Sequence, residues 1–128
     1  MPIKVLIVDD HDVVRQGIHV FLDSLPDLTV VAEAASGEAA VCLATEHLPD
    51  VILMDLVMPG MGGVEATRRL RVVSPQSQIV VLTSHHQDNH IFPAMQAGAI
   101  SYLLKDVKMG DLAEAVRRAA HGLSLIHI

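Results

Sequence analysis

The chain has 128 residues, enough for one domain and too few for two of ordinary size. Hydrophobic residues make up 51% of it, aromatics only 2%, and Trp is absent, so a core must be built from Val, Ile, Leu, Ala and Met, and a disordered chain is excluded. The formal charge of −6 speaks against diffuse binding to nucleic acid, and a single cysteine, Cys42, excludes an internal disulfide framework and fits a reducing compartment.

Residues 3–8 are continuously apolar apart from Lys4 and rich in β-branched types, which predicts a first strand. Met1-Pro2 leads directly into it, with no basic segment and long apolar run of a signal peptide. No apolar run approaches the ~20 residues that cross a bilayer, so the expectation is a cytoplasmic protein with no membrane segment. Residues 12–24 carry Val14, Ile18, Phe21 and Leu22 at helical spacing. Residues 29–34 form a second strand, and residues 36–47 a second helix capped by Ser36, with Ala40, Leu43 and Ala44 on one face. Cys42 lies in that apolar stretch and reads as a small buried hydrophobe.

A third strand over residues 51–54 is followed by Gly60, Gly62 and Gly63, whose spacing matches neither the dinucleotide fingerprint nor the P-loop and reads as loop geometry. The third helix covers residues 63–73, with Ser74-Pro75 stopping it. Residues 79–82 form a fourth strand. His85, His86 and His90 then cluster without the cysteine or carboxylate set of a zinc site, and read as a solvated loop. The fourth helix, residues 91–97, carries Pro93, which is tolerated only in a first turn, so this helix starts near Ile91 or Phe92 or is frayed before the proline. Residues 101–104 form the fifth strand and residues 107–121 the fifth helix, with Gly122 as terminator.

Five alternating strand and helix pairs imply a parallel sheet covered on both faces, because parallel strands need crossover connections. Such sheets bind ligands outside the carboxyl ends of their strands. Those ends are Asp9-Asp10, Asp55, Thr83-Ser84 and Lys105. An Asp-Asp pair alone would read as a turn or helix cap; the shared sheet edge changes that. If the first and third strands are neighbours, Asp55 lies about 5 Å from the Asp9-Asp10 pair. Carboxylates so close repel unless a cation sits among them, and hard oxygen donors suit Mg²⁺. A hydroxyl and an amine beside them fit a phosphoryl group, which leaves a carboxylate as nucleophile. The acid excess of the first half, eleven carboxylates against Lys4 and Arg15 in residues 1–66, fits the same site.

Asp9-Asp10, Asp55 with the following Leu56-Val57-Met58-Pro59-Gly60, Thr83-Ser84, and Ser101-Tyr102-Leu103-Leu104-Lys105 together resemble the receiver domain of bacterial two-component response regulators. Val8-Asp9-Asp10-His11 and Leu104-Lys105-Asp106 are most similar to the LuxR/NarL-type branch. The resemblance implies a single doubly wound (βα)5 flavodoxin-like α/β domain over residues 1–122 with sheet order 2-1-3-4-5, and residues 123–128 as the start of a linker to a C-terminal helix-turn-helix output domain. It implies Asp55 as phosphoacceptor for a sensor histidine kinase. It also implies Mg²⁺ bound by Asp10, Asp55 and the Val57 carbonyl with Asp9 acting through water, and Thr83 and Lys105 on the phosphoryl group. Thr83 and Tyr102 would be the switch pair, and Val57 and His85 would tune self-dephosphorylation. Such a chain is a transcriptional switch rather than an enzyme with a separate substrate, and reaches DNA only through the output domain.

Two departures from the family pattern stand out. Asp106 follows the lysine where many receivers have proline, so a trans bond is expected, and Pro93 unsettles the fourth helix. Two other readings compete: an aspartate-nucleophile phosphatase of haloacid dehalogenase type, which wants Asp-x-Asp where this chain has Asp9-Asp10-His11, and a pseudo-receiver that only mediates contacts. The apolar content of the fifth helix further suggests a homodimer in some state.

Overall fold

Alternating apolar residues on each central strand determine how the layers assemble. In the computed structural model, which describes residues 2–123, the elements run β1 (Ile3–Val8), α1 (Asp12–Asp23), β2 (Leu28–Ala34), α2 (Gly37–His47), β3 (Val51–Asp55), α3 (Gly63–Val73), β4 (Gln78–Thr83), α4 (Ile91–Ala97), β5 (Ser101–Leu104) and α5 (Met109–Ala120). The strands form one parallel sheet in the order β2-β1-β3-β4-β5. Val5, Ile7, Val51, Leu53, Val80 and Leu82 pack on one face with the apolar sides of α1 and α5. Their neighbours Leu6, Val8, Ile52, Met54, Ile79 and Val81 pack on the other with α2, α3 and α4. This strict alternation buries β3 completely, as a central parallel strand requires. The expected flavodoxin-like α/β fold and strand order are therefore those observed.

The amino ends of the strands are pegged by polar contacts. Lys4 N–H donates to the Asp50 carboxylate at 2.9 Å, and Asp50 N–H returns a bond to the Lys4 carbonyl at 2.8 Å. The buried hydroxyls of Ser74 and Ser77 lie 2.7 Å apart, and Ser77 donates to the Pro49 carbonyl. At the opposite end, Gly63 is required by space: a Cβ there would stand 2.4 Å from the Asp55 carbonyl oxygen and 2.7 Å from the Leu56 Cα. Helix α3 thus starts directly against the backbone that carries Asp55.

Two local sequence expectations hold, the start of α4 and the trans Lys105-Asp106 bond, and two are corrected, the start of α5 and the burial of Cys42. Helix α5 starts at Met109 rather than residue 107, because Val107 N–H bonds the Leu104 carbonyl in a turn and Lys108 is still extended. Helix α4 starts at Ile91, which places Pro93 in its first turn, where no helical N–H is lost. The described peptide bonds are all trans, Lys105-Asp106 included. Cys42 is exposed, contrary to its reading as a buried residue: Ala40 and Ala44 face the core, and Cys42 lies between them on the outer side of α2.

Of the apolar residues of α5, Leu112, Ala113, Ala115, Val116 and Ala119 are buried in this chain's own core, and Met109 and Ala120 are partly buried against it. Of the residues read as a linker, only Leu123 is described, and it is exposed; residues 124–128 lie outside the described part. No helix among the described residues is long and apolar enough to cross a membrane.

Candidate functional site

The parallel register of β1, β3, β4 and β5 brings their carboxyl ends to one edge. Val8 pairs with Met54, Asp55 with Leu82, and Thr83 with Leu104. Asp9, Asp55, Thr83 and Lys105 therefore emerge side by side, around an open cavity of about 320 Å³ lined by Asp55, Val57, Thr83 and Lys105 together with His11 and Asp88. Asp9, Asp55 and Thr83 are almost fully buried, whereas Val57 is 62% exposed at the rim.

Lys105 Nζ lies 3.0 Å from Asp55 Oδ2 and 3.3 Å from Asp9 Oδ2, so one cation faces two buried carboxylates. Burial, followed by the repulsion of Asp9, raises the Asp55 carboxyl to about 6, although Lys105 and the Val57 N–H pull it down. The Lys105 ammonium is in turn raised: burial opposes its charge, but Asp55 and Asp9 outweigh that effect. Asp9 is further anchored by His11, whose N–H donates to its Oδ1 at 2.8 Å, and Arg15 donates to its carbonyl oxygen at 2.6 Å.

Three carboxylate oxygens at this edge are buried with no well-formed hydrogen bond: Asp9 Oδ2 and Asp55 Oδ2 share the one Lys105 ammonium as ion-pair partner, and Asp10 Oδ1 has the His11 ring at 3.3 Å. Such atoms are costly unless a cation binds them. One ligand atom each from Asp9, Asp10, His11 and Asp55 can be chosen so that all lie within 4.8 Å of one another. Hard oxygen donors in this number fit Mg²⁺.

Sequence reading assigned no role to two residues at the site. His11 sits over the acidic pair, with Nδ1 3.1 Å from Asp9 Oδ1 and 3.3 Å from Asp10 Oδ1. Asp88 accepts the Thr83 hydroxyl at 2.7 Å. Burial pushes the Asp88 carboxyl up, but the His90 N–H, the Thr83 hydroxyl and the His90 ring together bring it below its ordinary value. Its only sequence signal is an acid five residues beyond the threonine. His85, His86 and His90 are exposed, as expected of a loop, but His90 is paired with Asp88 through its N–H and Nδ1. Tyr102, on β5, is partly buried against the face that holds α4, with its ring edge-on to His86 at 6.3 Å between centroids.

The sequence profile of the response regulator receiver domain matches residues 5–117. The transcriptional regulatory protein LiaR of Bacillus subtilis (strain 168) is 48% identical over 120 residues, which cover 94% of this chain and 57% of LiaR. The response regulator VraR of Staphylococcus aureus (strain NCTC 8325 / PS 47) is 46% identical over 125 residues, 98% of this chain and 60% of VraR. The chain thus spans somewhat more than half the length of these relatives. Among solved structures, the signal receiver domain of NarL from Mycobacterium tuberculosis superposes with a TM-score of 0.89 at 34% identity, covering 94% of this chain and 98% of that one. A LuxR-family two-component response regulator from Aurantimonas sp. SI85-9A1 superposes with a TM-score of 0.90 at 34% identity, covering 99% and 90%. On its fold, its strand-end residues and these likenesses, the chain belongs to the response regulator receiver domain family, and its relatives are of the LuxR/NarL type.

Proposed function

We propose that the chain is a phosphorylation switch in which Asp55 takes a phosphoryl group from the phosphohistidine of a sensor kinase. The observation that carries this reading is the Asp55 carboxylate, buried at the floor of an open cavity with the Lys105 ammonium 3.0 Å away. An Asp55 oxygen attacks phosphorus, the P–N bond of the donor breaks, and the leaving imidazole recovers a proton from solvent. The product is an acyl phosphate. Lys105 is placed to offset the charge gained on the phosphoryl oxygens, and the Thr83 hydroxyl to donate to one of them. Asp9, Asp10, Asp55 and the Val57 carbonyl would hold Mg²⁺, which when bound neutralises charge on the transferring group. Thr83 moving toward the phosphoryl, with Tyr102 turning inward, would carry the change to α4, β5 and α5.

Val57 offers no side-chain group to orient a water at the cavity rim, so with His85 as the second tuning position the aspartyl phosphate is expected to persist. Because LiaR is described as a transcriptional regulatory protein, the output we propose is transcriptional, through a C-terminal helix-turn-helix domain after a linker starting at residue 123. The chain would then catalyse only its own phosphotransfer and dephosphorylation.

Incubation with acetyl phosphate tests the reading. Mg²⁺-dependent gain of one phosphoryl group is expected, lost in Asp55→Asn and retained for a shorter time in Val57→Asn, with mass spectrometry as the readout. Sustained turnover of a phosphate ester would favour the haloacid dehalogenase reading instead, and absence of modification the pseudo-receiver.

A further inference from the structure

The Thr83 hydroxyl is already engaged. Thr83 is 1% exposed, and its Oγ1 donates to Asp88 Oδ2 at 2.7 Å; among the described residues the other acceptor in reach is the His85 carbonyl, at 3.4 Å. A hydroxyl carries one proton. It cannot donate to Asp88 and to a phosphoryl oxygen at once, so the two acceptors compete for the same hydrogen.

Asp88 is itself firmly held. Its other oxygen, Oδ1, accepts the His90 N–H at 2.8 Å and lies 2.7 Å from His90 Nδ1. Among the described residues, His90 is its one ion-pair partner, and no Lys or Arg neutralises it. The carboxylate also lines the cavity that Asp55 and Lys105 face. An incoming phosphoryl anion therefore meets a like charge as well as a rival acceptor.

We propose that Asp88 is a positioning residue that holds the Thr83 hydroxyl away from Asp55 and must release it before the phosphorylated conformation forms. The proposal rests on the phosphoacceptor reading of Asp55 given above. Asp88 then sets how readily the chain switches, without touching the transferred group. Release frees the segment 84–90 that joins β4 to α4, so the bond links the chemistry at the sheet edge to the start of a helix.

The test is calorimetric titration with beryllofluoride and Mg²⁺, a mimic of the phosphoryl group, on the full chain and on Asp88→Ala, each with Thr83 and with Thr83→Val. Loss of a charge-assisted hydrogen bond to the competing acceptor predicts binding about tenfold tighter in Asp88→Ala when Thr83 is present. In the Thr83→Val background the gain falls below about threefold, because only charge relief remains. Asp88→Asn, which removes the charge and keeps a polar partner for the hydroxyl, falls between and serves if Asp88→Ala fails to fold. In the unliganded state, the Thr83 methyl resonance of Asp88→Ala moves toward its position in the beryllofluoride-bound chain. Equal gains in both backgrounds, no gain, or an unmoved methyl resonance overturn the proposal while leaving the phosphoacceptor reading intact. A wild-type chain that takes up no beryllofluoride overturns both, and is told apart by its failure before any variant is made.

Discussion

Asp55 carries a cost that its own fold imposes. Burial and the charge of Asp9 raise its carboxyl from an ordinary 3.8 to about 6, so the fold favours the neutral acid. The stability contributed by that proton is fully present below pH 3.8 and is lost as pH rises through about 6. Without Mg²⁺, Asp55→Asn should therefore be more stable than wild type at pH 7.5 by about 1–3 kcal/mol, and the two should converge below pH 4 in urea titrations. A wild type that equals or exceeds the variant at pH 7.5 would remove burial as the dominant effect. The strand-end carboxylates, Thr83 and Lys105 were legible in the sequence because a parallel sheet leaves little choice about where strand ends point. Asp88 was not, since its contact with Thr83 depends on how the loop after β4 folds back, and loop geometry has no periodic signature.

Between elements, the link from α1 to β2 is polar and titratable. His19 sits between Glu33 on β2 and Asp23 at the end of its own helix, with Nδ1 on Glu33 and Nε2 3.0 Å from Asp23. The hydrogen bond to Glu33 raises the imidazole above its ordinary value despite partial burial. A raised histidine stabilises the fold below its unfolded pKa, and the effect fades as pH rises through the folded one. His19→Gln should cost about 0.5–1 kcal/mol at pH 5.5 and almost nothing at pH 9, by chemical unfolding at the two pH values. An equal loss at both would mean that packing, not charge, is what His19 supplies. Element boundaries read from sequence held where a chemical stop exists, as at Ser74-Pro75 and Gly98. They slipped at α5, where Val107 looks helical by pattern but is used in a turn. Cys42 misled for a related reason: α2 is so uniformly apolar that its sequence does not reveal which side faces water.

For the molecule as a whole, the core takes up most of the apolar surface of α5 on which the expectation of self-association rested. Phe92 on α4 is a large apolar side chain that is 69% exposed. If a homodimer forms in the switched state, light scattering should give a doubled mass with beryllofluoride and Mg²⁺ and a monomer mass for Phe92→Ser under the same conditions. A monomer mass for the wild type in both states would discard the dimer. The sheet order was legible because few topologies satisfy right-handed crossovers in an alternating chain; the surface left uncovered was not, because apolar content alone does not say which residues the monomer keeps for itself.

The polar pegs at the amino ends of the strands give the molecule a fixed end. Lys4 with Asp50, and Ser74 with Ser77 and Pro49, are joined there by hydrogen bonds, while the carboxylates of Asp9, Asp10 and Asp55, with the one Lys105 ammonium against two of them, sit at the opposite end of the same strands. A dye or surface tether attached in the exposed turn at Pro75 and Gln76 would therefore travel rigidly with the sheet and provide a stationary reference frame. From it, any displacement of α4 could be measured as distance, with the anchor itself contributing no signal.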